Sequence, residues 1–220
     1  MMKPTNKLFF TVIFVVLTAF SCNTDIEKQS LPFFNSAVFT PEWIAVGSPE
    51  YTRIHKIAPF KLTNQDGDVI TNETYNGKIY VADFFFATCP GICPKLEKSM
   101  SVLQEKYLHD DSIKLLSHTV MPTRDSVEVL KDYAIKNDII SGKWNLVTGD
   151  KEMIYDLART SYFADEDFVK TKDENAFIHT ENFILVDPKG RIRGVYNGTI
   201  SLEIKRLIRH IEMLKKESDL

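Results

Sequence analysis

Residues 79–86, IYVADFFF, form an almost unbroken apolar run. A strand that shows one face to water alternates apolar and polar residues, so a run without alternation predicts a central strand covered on both faces. Such a strand needs layers above and below one sheet, and the following sequence supplies them. A helix is expected directly after the run, with Leu96, Met100, Leu103 and Tyr107 on one face and Pro94 in its first turn, where proline's missing N–H costs nothing. Next come a strand at Ile113–Val120, a helix from about Ser126 to Asn137, a short strand at Trp144–Val147 and a helix near Lys151–Thr160. Asp125 and Glu128 have the spacing of a capping box, which places Asp125 at the second helix's cap. Phe177–Val186 reads as a strand, Asp187–Gly190 as a turn and Arg191–Tyr196 as its hairpin partner. The last helix aligns Ile204, Leu207, Ile208, Ile211 and Leu214 on one stripe.

Over residues 79–218 the order is therefore β-α-β-α-β-α-β-β-α, an α/β class with a mostly parallel sheet, flanking helices and a closing antiparallel hairpin. Upstream, His55–Leu62 and Asp68–Thr71 flank a turn at Gln65-Asp66-Gly67 and read as an N-terminal β-hairpin extension. The arrangement matches a thioredoxin-like fold with an inserted element. Residues 161–176 are polar, with Asp165, Glu166, Asp167, Asp173 and Glu174, and read as a solvated insert.

Residues 1–21 have the layout of an export signal. Lys3 and Lys7 form a positive start, Leu8–Phe20 an apolar stretch shorter than a bilayer span, and Ser21 a small residue before Cys22. Ala19-Phe20-Ser21-Cys22 resembles a lipoprotein cleavage site, which makes Cys22 a candidate for lipidation. Residues 22–50 then read as a tether and irregular lead-in and residues 51–220 as one extracytoplasmic domain. The formal charge of −3 becomes −5 once Lys3 and Lys7 leave, and no basic run exceeds Lys215-Lys216, so nothing points to nucleic acid.

With Cys22 at the anchor, the 220-residue chain keeps one cysteine pair, Cys89 and Cys93, in Cys89-Pro-Gly-Ile-Cys93-Pro94. A structural disulfide here closes too short a loop to constrain the unfolded chain much. The residues themselves leave two readings, a redox couple or part of a metal site. Positions i and i+4 share a helix face, Gly91 relaxes the loop, and a helix start favours the thiolate that both chemistries require. Among five histidines, His109 and His210 read as solvated, and His55 and His118 as parts of the lead-in hairpin and a strand. His179 stands where the last long strand begins, near the end of the sheet that carries the cysteines; it reads either as a core histidine or as a ligand. Its approach, Asn175–Asn182, lacks the proline that redox-active thioredoxin-like proteins place there. Two thiolates and one imidazole suit copper, as Cu(I) or Cu(II), better than a closed zinc site.

These residues resemble the SCO/SenC family of copper-binding, thioredoxin-like proteins that assemble cytochrome c oxidase. The likeness runs from about Leu31 to Ile211 and is carried by Cys89-Pro-Gly-Ile-Cys93-Pro94, by His179 ahead of the segment ending at Pro188, and by Arg124-Asp125-Ser126 opening a helix. What it implies is a membrane-tethered, monomeric protein holding one copper through Cys89, Cys93 and His179. It would supply that copper to the binuclear CuA centre of oxidase subunit II, keep that subunit's cysteines reduced, or both. The chain departs from the family at Met121, where many members carry Asp before the proline; Met121 reads as a gap filler. The alternative function is an extracytoplasmic thiol:disulfide oxidoreductase that uses Cys89 and Cys93 without metal. Peroxide reduction is a third reading, on the faint likeness of Thr88-Cys89 to peroxiredoxin-like sites.

Overall fold

The computed structural model describes residues 30–165, 170, 178 and 180–218. Its centre is β3 (Ile79–Phe85), buried at every position as the apolar run requires. The other strands are β1 (Lys61–Asn64), β2 (Val69–Thr71), β4 (Ile113–Thr119), β5 (Trp144–Thr148), β6 (Asn182–Val186) and β7 (Ile192–Asn197), in the sheet order β2-β1-β5-β4-β3-β6-β7. β3, β4 and β5 run parallel; β6 and β7 add an antiparallel hairpin on one side, and β1 and β2 another on the far side. The turn between β1 and β2 uses Gly67 at φ 86°, a conformation that costs glycine nothing, and the Asn64 side chain accepts from the amides of Asp66 and Asp68.

The residue period of two divides the core. Ile79, Val81 and Phe85 meet α1 (Cys93–Lys106), α2 (Val127–Lys136) and α4 (Ser201–Glu217) through Leu96, Met100, Leu103, Leu130, Leu207 and Ile211. Tyr80, Ala82 and Phe84 face the other layer, built from the lead-in, α3 (Lys151–Asp156) and a wide π turn at Leu157–Ser161. Ser161, Tyr162, Ala164 and Asp165 are buried, and Asp165 receives Arg159 Nε at 2.9 Å. The start of the expected solvated insert is therefore core, because the π turn folds its aromatic and alanine side chains under the sheet. Residues 166–169 and 171–177 lie outside the described residues.

The lead-in is irregular but firmly attached. Leu31 and Phe33 are buried, and Arg193 of β7 donates to the carbonyls of Leu31 (2.5 Å) and Pro32 (3.0 Å) and to Glu217 of α4 (2.7 Å). Its guanidinium also lies over the Phe33 ring, 4.2 Å from the centroid. His55 to Phe60 packs without strand pairing, so the expected first strand of the hairpin is confined to its last few residues. Among the described residues no helix is long and apolar enough to cross a membrane.

Candidate metal centre

The cysteines lie just beyond the end of β3. A turn carries the chain from Phe86 toward α1, with the Cys89 amide donating to the Phe86 carbonyl at 3.2 Å. Cys93 is the first residue of α1, so Cys89 sits over a helix start whose first amides have no intrahelical acceptor. The amides of Gly91, Ile92 and Cys93 and the Cys93 thiol lie on the side of Cys89 where they favour its thiolate. Gly91 does not use the left-handed region, and a β-carbon there would meet Cys89 Sγ at an ordinary 3.9 Å. The turn therefore places no steric demand on glycine at that position.

Both thiols are free, Cys89 half-buried and Cys93 buried. Burial opposes ionisation of Cys89, but the Cys93 thiol and the three amides outweigh it and its pKa is lowered. Cys93 moves the other way, pushed up to about 12 by burial, then by its hydrogen bond to Cys89 and by the charges of Cys89 and Asp83. The pair gives up one proton readily and holds the second.

Two carboxyl groups that the sequence reading did not single out as site residues support this turn. Asp83 is buried behind Cys93 beside a cavity of about 10 Å³, room for one water, that Ser117, Tyr133 and Trp144 also wall. Ser117 donates to Asp83, and Trp144 Nε1 donates to Ser117 Oγ at 2.8 Å. Burial raises the Asp83 pKa to about 7, against the opposing Ser117 hydrogen bond. The one polar residue in the apolar run was the available signal. Asp125, expected as a helix cap, is instead 1% exposed and accepts from the Ala87 amide at 3.1 Å and from the Thr119 hydroxyl. It ties the turn carrying Cys89 to the end of β4. Ser126 is the cap of α2, accepting from the Val129 amide at 3.4 Å. Met121 is half-buried against the second core layer.

His179 and Cys22 lie outside the described residues. On either side of His179, Ile178 and Thr180 are buried, and Thr180 Oγ1 accepts from the Asn182 amide at 3.1 Å. β6 starts at Asn182, and the register Ala82↔Ile184 sets that start beside the cysteine end of β3. Among the described residues no three His, Cys, Asp or Glu side chains converge. His109 is exposed, as expected. His210 is not simply solvated: it is half-buried, with Nδ1 2.8 Å from the Tyr196 hydroxyl. His55 Nε2 lies 2.8 Å from the Ser161 carbonyl. His118 is fully buried on the far face, stacked on Phe84 with centroids 4.9 Å apart.

The sheet is mixed rather than mostly parallel as expected, because the two hairpins add antiparallel pairs on both sides of β3, β4 and β5. With a free C-x-x-x-C pair just beyond the end of β3, it defines a thiol-bearing, thioredoxin-like domain. Within that class the chain belongs to the SCO1/SenC family, whose model matches residues 49–216. It is similar in structure to BsSco, described as having a disulfide switch and as a member of the Sco family of cytochrome c oxidase assembly proteins. The TM-score is 0.62 at 27% identity, covering 73% of this chain and 94% of that one. A SCO1/SenC family lipoprotein from Bacillus anthracis aligns with TM-score 0.63 and 30% identity over 73% and 95% of the two chains. Yeast Sco1 with copper bound aligns with TM-score 0.53 and 26% identity over 72% and 89%. The family is thus tied to copper binding and to cytochrome c oxidase assembly.

Proposed function

We propose that this chain is a membrane-tethered, extracytoplasmic copper carrier that holds one copper ion through Cys89, Cys93 and His179 and supplies it to the CuA centre of oxidase subunit II. The observation that carries this reading is the asymmetric free thiol pair just beyond the end of β3: Cys89 is half-buried and favoured as thiolate, while Cys93, the first residue of α1, is buried and favoured as thiol. Soft thiolates with one imidazole match copper, and a three-ligand site leaves cargo open to ligand exchange with recipient thiolates. Loading displaces the Cys93 proton, so copper uptake releases protons and tightens with rising pH. The copper-bound yeast Sco1 supports the metal, and the lipoprotein from Bacillus anthracis supports a lipid on Cys22.

Anaerobic titration with Cu(I) against a competing chelator tests the site. One-to-one binding is expected, weakened in His179→Ala; absence of competitive binding removes the copper reading. Fatty-acid labelling that disappears in Cys22→Ser tests the anchor.

The unequal free thiols also favour a second reading, reduction of a partner's disulfide. The Cys89 thiolate would attack one partner sulfur and expel the other as a thiolate; Cys93, losing its proton, would then displace the partner. The products are a Cys89–Cys93 disulfide and a partner dithiol, a transfer of two electrons and two protons. The disulfide switch of BsSco supports it. Formation of that disulfide with stoichiometric release of partner thiols is the measurement.

A further inference from the structure

We infer that the end of the domain opposite the cysteines rests on the lipid bilayer, with Trp43 and Val46 seated at the headgroup level, so that Cys89 and Cys93 face away from the membrane. The inference rests on the tethered reading above and adds the orientation of the tethered domain.

The two ends of the sheet are set by strand direction. β6 is antiparallel to β3, pairing Tyr80 with Val186, so the turn after β6 lies beyond the start of β3; the Gly77 amide donates to the Pro188 carbonyl at 3.1 Å. The cysteines follow the other end of β3, and seven strand residues rising ~3.3 Å each separate the two ends by roughly 20 Å. At the Pro188 end the lead-in makes a groove of about 500 Å³ whose apolar wall includes Leu31, Phe33, Ile44, Val46 and Tyr51.

Val46 of the groove wall is 84% exposed, and Trp43, bonded to the groove residue Ser30 and next in sequence to the groove residue Ile44, is 67% exposed. Trp43 and Val46, three residues apart at this groove, leave two large apolar side chains in water close together in the chain. A tryptophan among them favours the membrane interface, where the ring is accommodated at headgroup level. Its indole Nε1 already donates to the Ser30 carbonyl at 3.2 Å, so the nonpolar ring is what remains to be covered. Arg53, Lys56 and Lys189 are exposed around the same end, suited to anionic headgroups, with Glu42 and Glu50 also exposed there.

The tether selects the occupant. Ser30, bonded to Trp43, stands eight residues after Cys22, a contour of at most about 29 Å. A lipid on Cys22 therefore brings this end to the bilayer first, whereas turning the cysteine end to the bilayer would use roughly 20 Å of that contour to span the domain.

The chain has two tryptophans, and Trp144 is 2% exposed with its Nε1 bonded to Ser117, so a lipid-borne quencher reports Trp43. Protein purified from membranes with its anchor is reconstituted into phosphatidylethanolamine–phosphatidylglycerol vesicles with bromines at graded depths. Blue-shifted emission that shallow bromines quench most, and that is lost in Trp43→Phe, is the expected result. Unquenched Trp43 in protein that stays with the vesicles overturns the orientation and leaves the tether standing. A blue shift that depends on protein concentration without lipid overturns it in favour of a second copy. Failure of the wild type to remain with membranes removes the tethered reading and the orientation together.

Discussion

The sheet's two faces bury Asp83 and His118 at nearly the same level, and they treat them in opposite ways. Asp83 of β3 pairs with Ser117 of β4 in the strand register, and Phe84 with His118 one residue further on. On the helix side Asp83 has a hydrogen-bonded neighbourhood, Ser117 and then Trp144, and lies behind Cys93. On the other side the His118 ring is enclosed by Phe60, Phe84 and Tyr162, and neither ring nitrogen has a hydrogen-bond partner. Burial raises the acid to about 7 and lowers the base to about 3. The same physical cause keeps both neutral, but only the helix face couples its group to the thiols. Proximity to the cysteines, rather than burial, separates a group that tunes the site from one that only loads the fold.

The largest effect should come from breaking the helix face at its chemistry. Cys93 is one of only three proposed ligands and a soft one, so Cys93→Ser is expected to weaken Cu(I) binding by about a thousandfold or more in chelator competition. His118→Phe should leave that affinity within about twofold, because the lost imidazole lies on the opposite face.

Next is the pH dependence of stability in the metal-free protein. For His118 the folded pKa is depressed, so its contribution is present above pH 6.5 and lost as pH falls toward 3, by up to about 1.4 kcal/mol per pH unit. For Asp83 the folded pKa is raised, so its contribution is present below pH 3.8 and lost as pH rises through about 7. Between 3.8 and 6.5 the two slopes oppose each other. Denaturant melts across this window should show stability falling with rising pH in His118→Phe, relative to wild type, and falling with dropping pH in Asp83→Asn. Parallel profiles in both variants would mean that neither group is buried neutral.

Asp125→Ala leaves the Ala87 amide and the Thr119 hydroxyl without their acceptor in a buried place, at a cost of roughly 2–3 kcal/mol. Because the Ala87 bond holds the turn before Cys89, copper affinity should fall along with stability. Ser126→Ala removes only a cap, about 1 kcal/mol, and should leave copper affinity unchanged. Equal losses in the two variants would return Asp125 to an ordinary capping role.

Much of this architecture was legible because periodicity reports burial. The apolar run gave β3, and the four-residue recurrence from Leu96 to Tyr107 gave α1 almost to its end. Misreadings occurred where side-chain hydrogen bonds decide. Asp125 and Ser126 are both good caps in isolation, and only the third dimension, which brings Ala87 and Thr119 to Asp125, distinguishes them. Residues 161–165 read together with the acidic stretch that follows them, although Tyr162, Phe163 and Ala164 already mark them as core, and the π turn buries Asp165 against Arg159 as well. Cys89 and Cys93 were visible from spacing and breakers, but their unequal proton affinities come from amide directions and from depth, which spacing does not encode.

The clasp made by Arg193 has a mechanical meaning. It joins Leu31 and Pro32, near the tether's exit, to Glu217 at the end of α4 and to the edge strand β7. A pull on the tether is delivered there first, and the lead-in peels from an edge one bond at a time while the load on β3 stays low. On the tethered reading proposed above, drag from the membrane would be taken up at the end of the sheet remote from Cys89 and Cys93. The thiol pair keeps its geometry under force, and Arg193→Ala should move the first mechanical failure to a lower load.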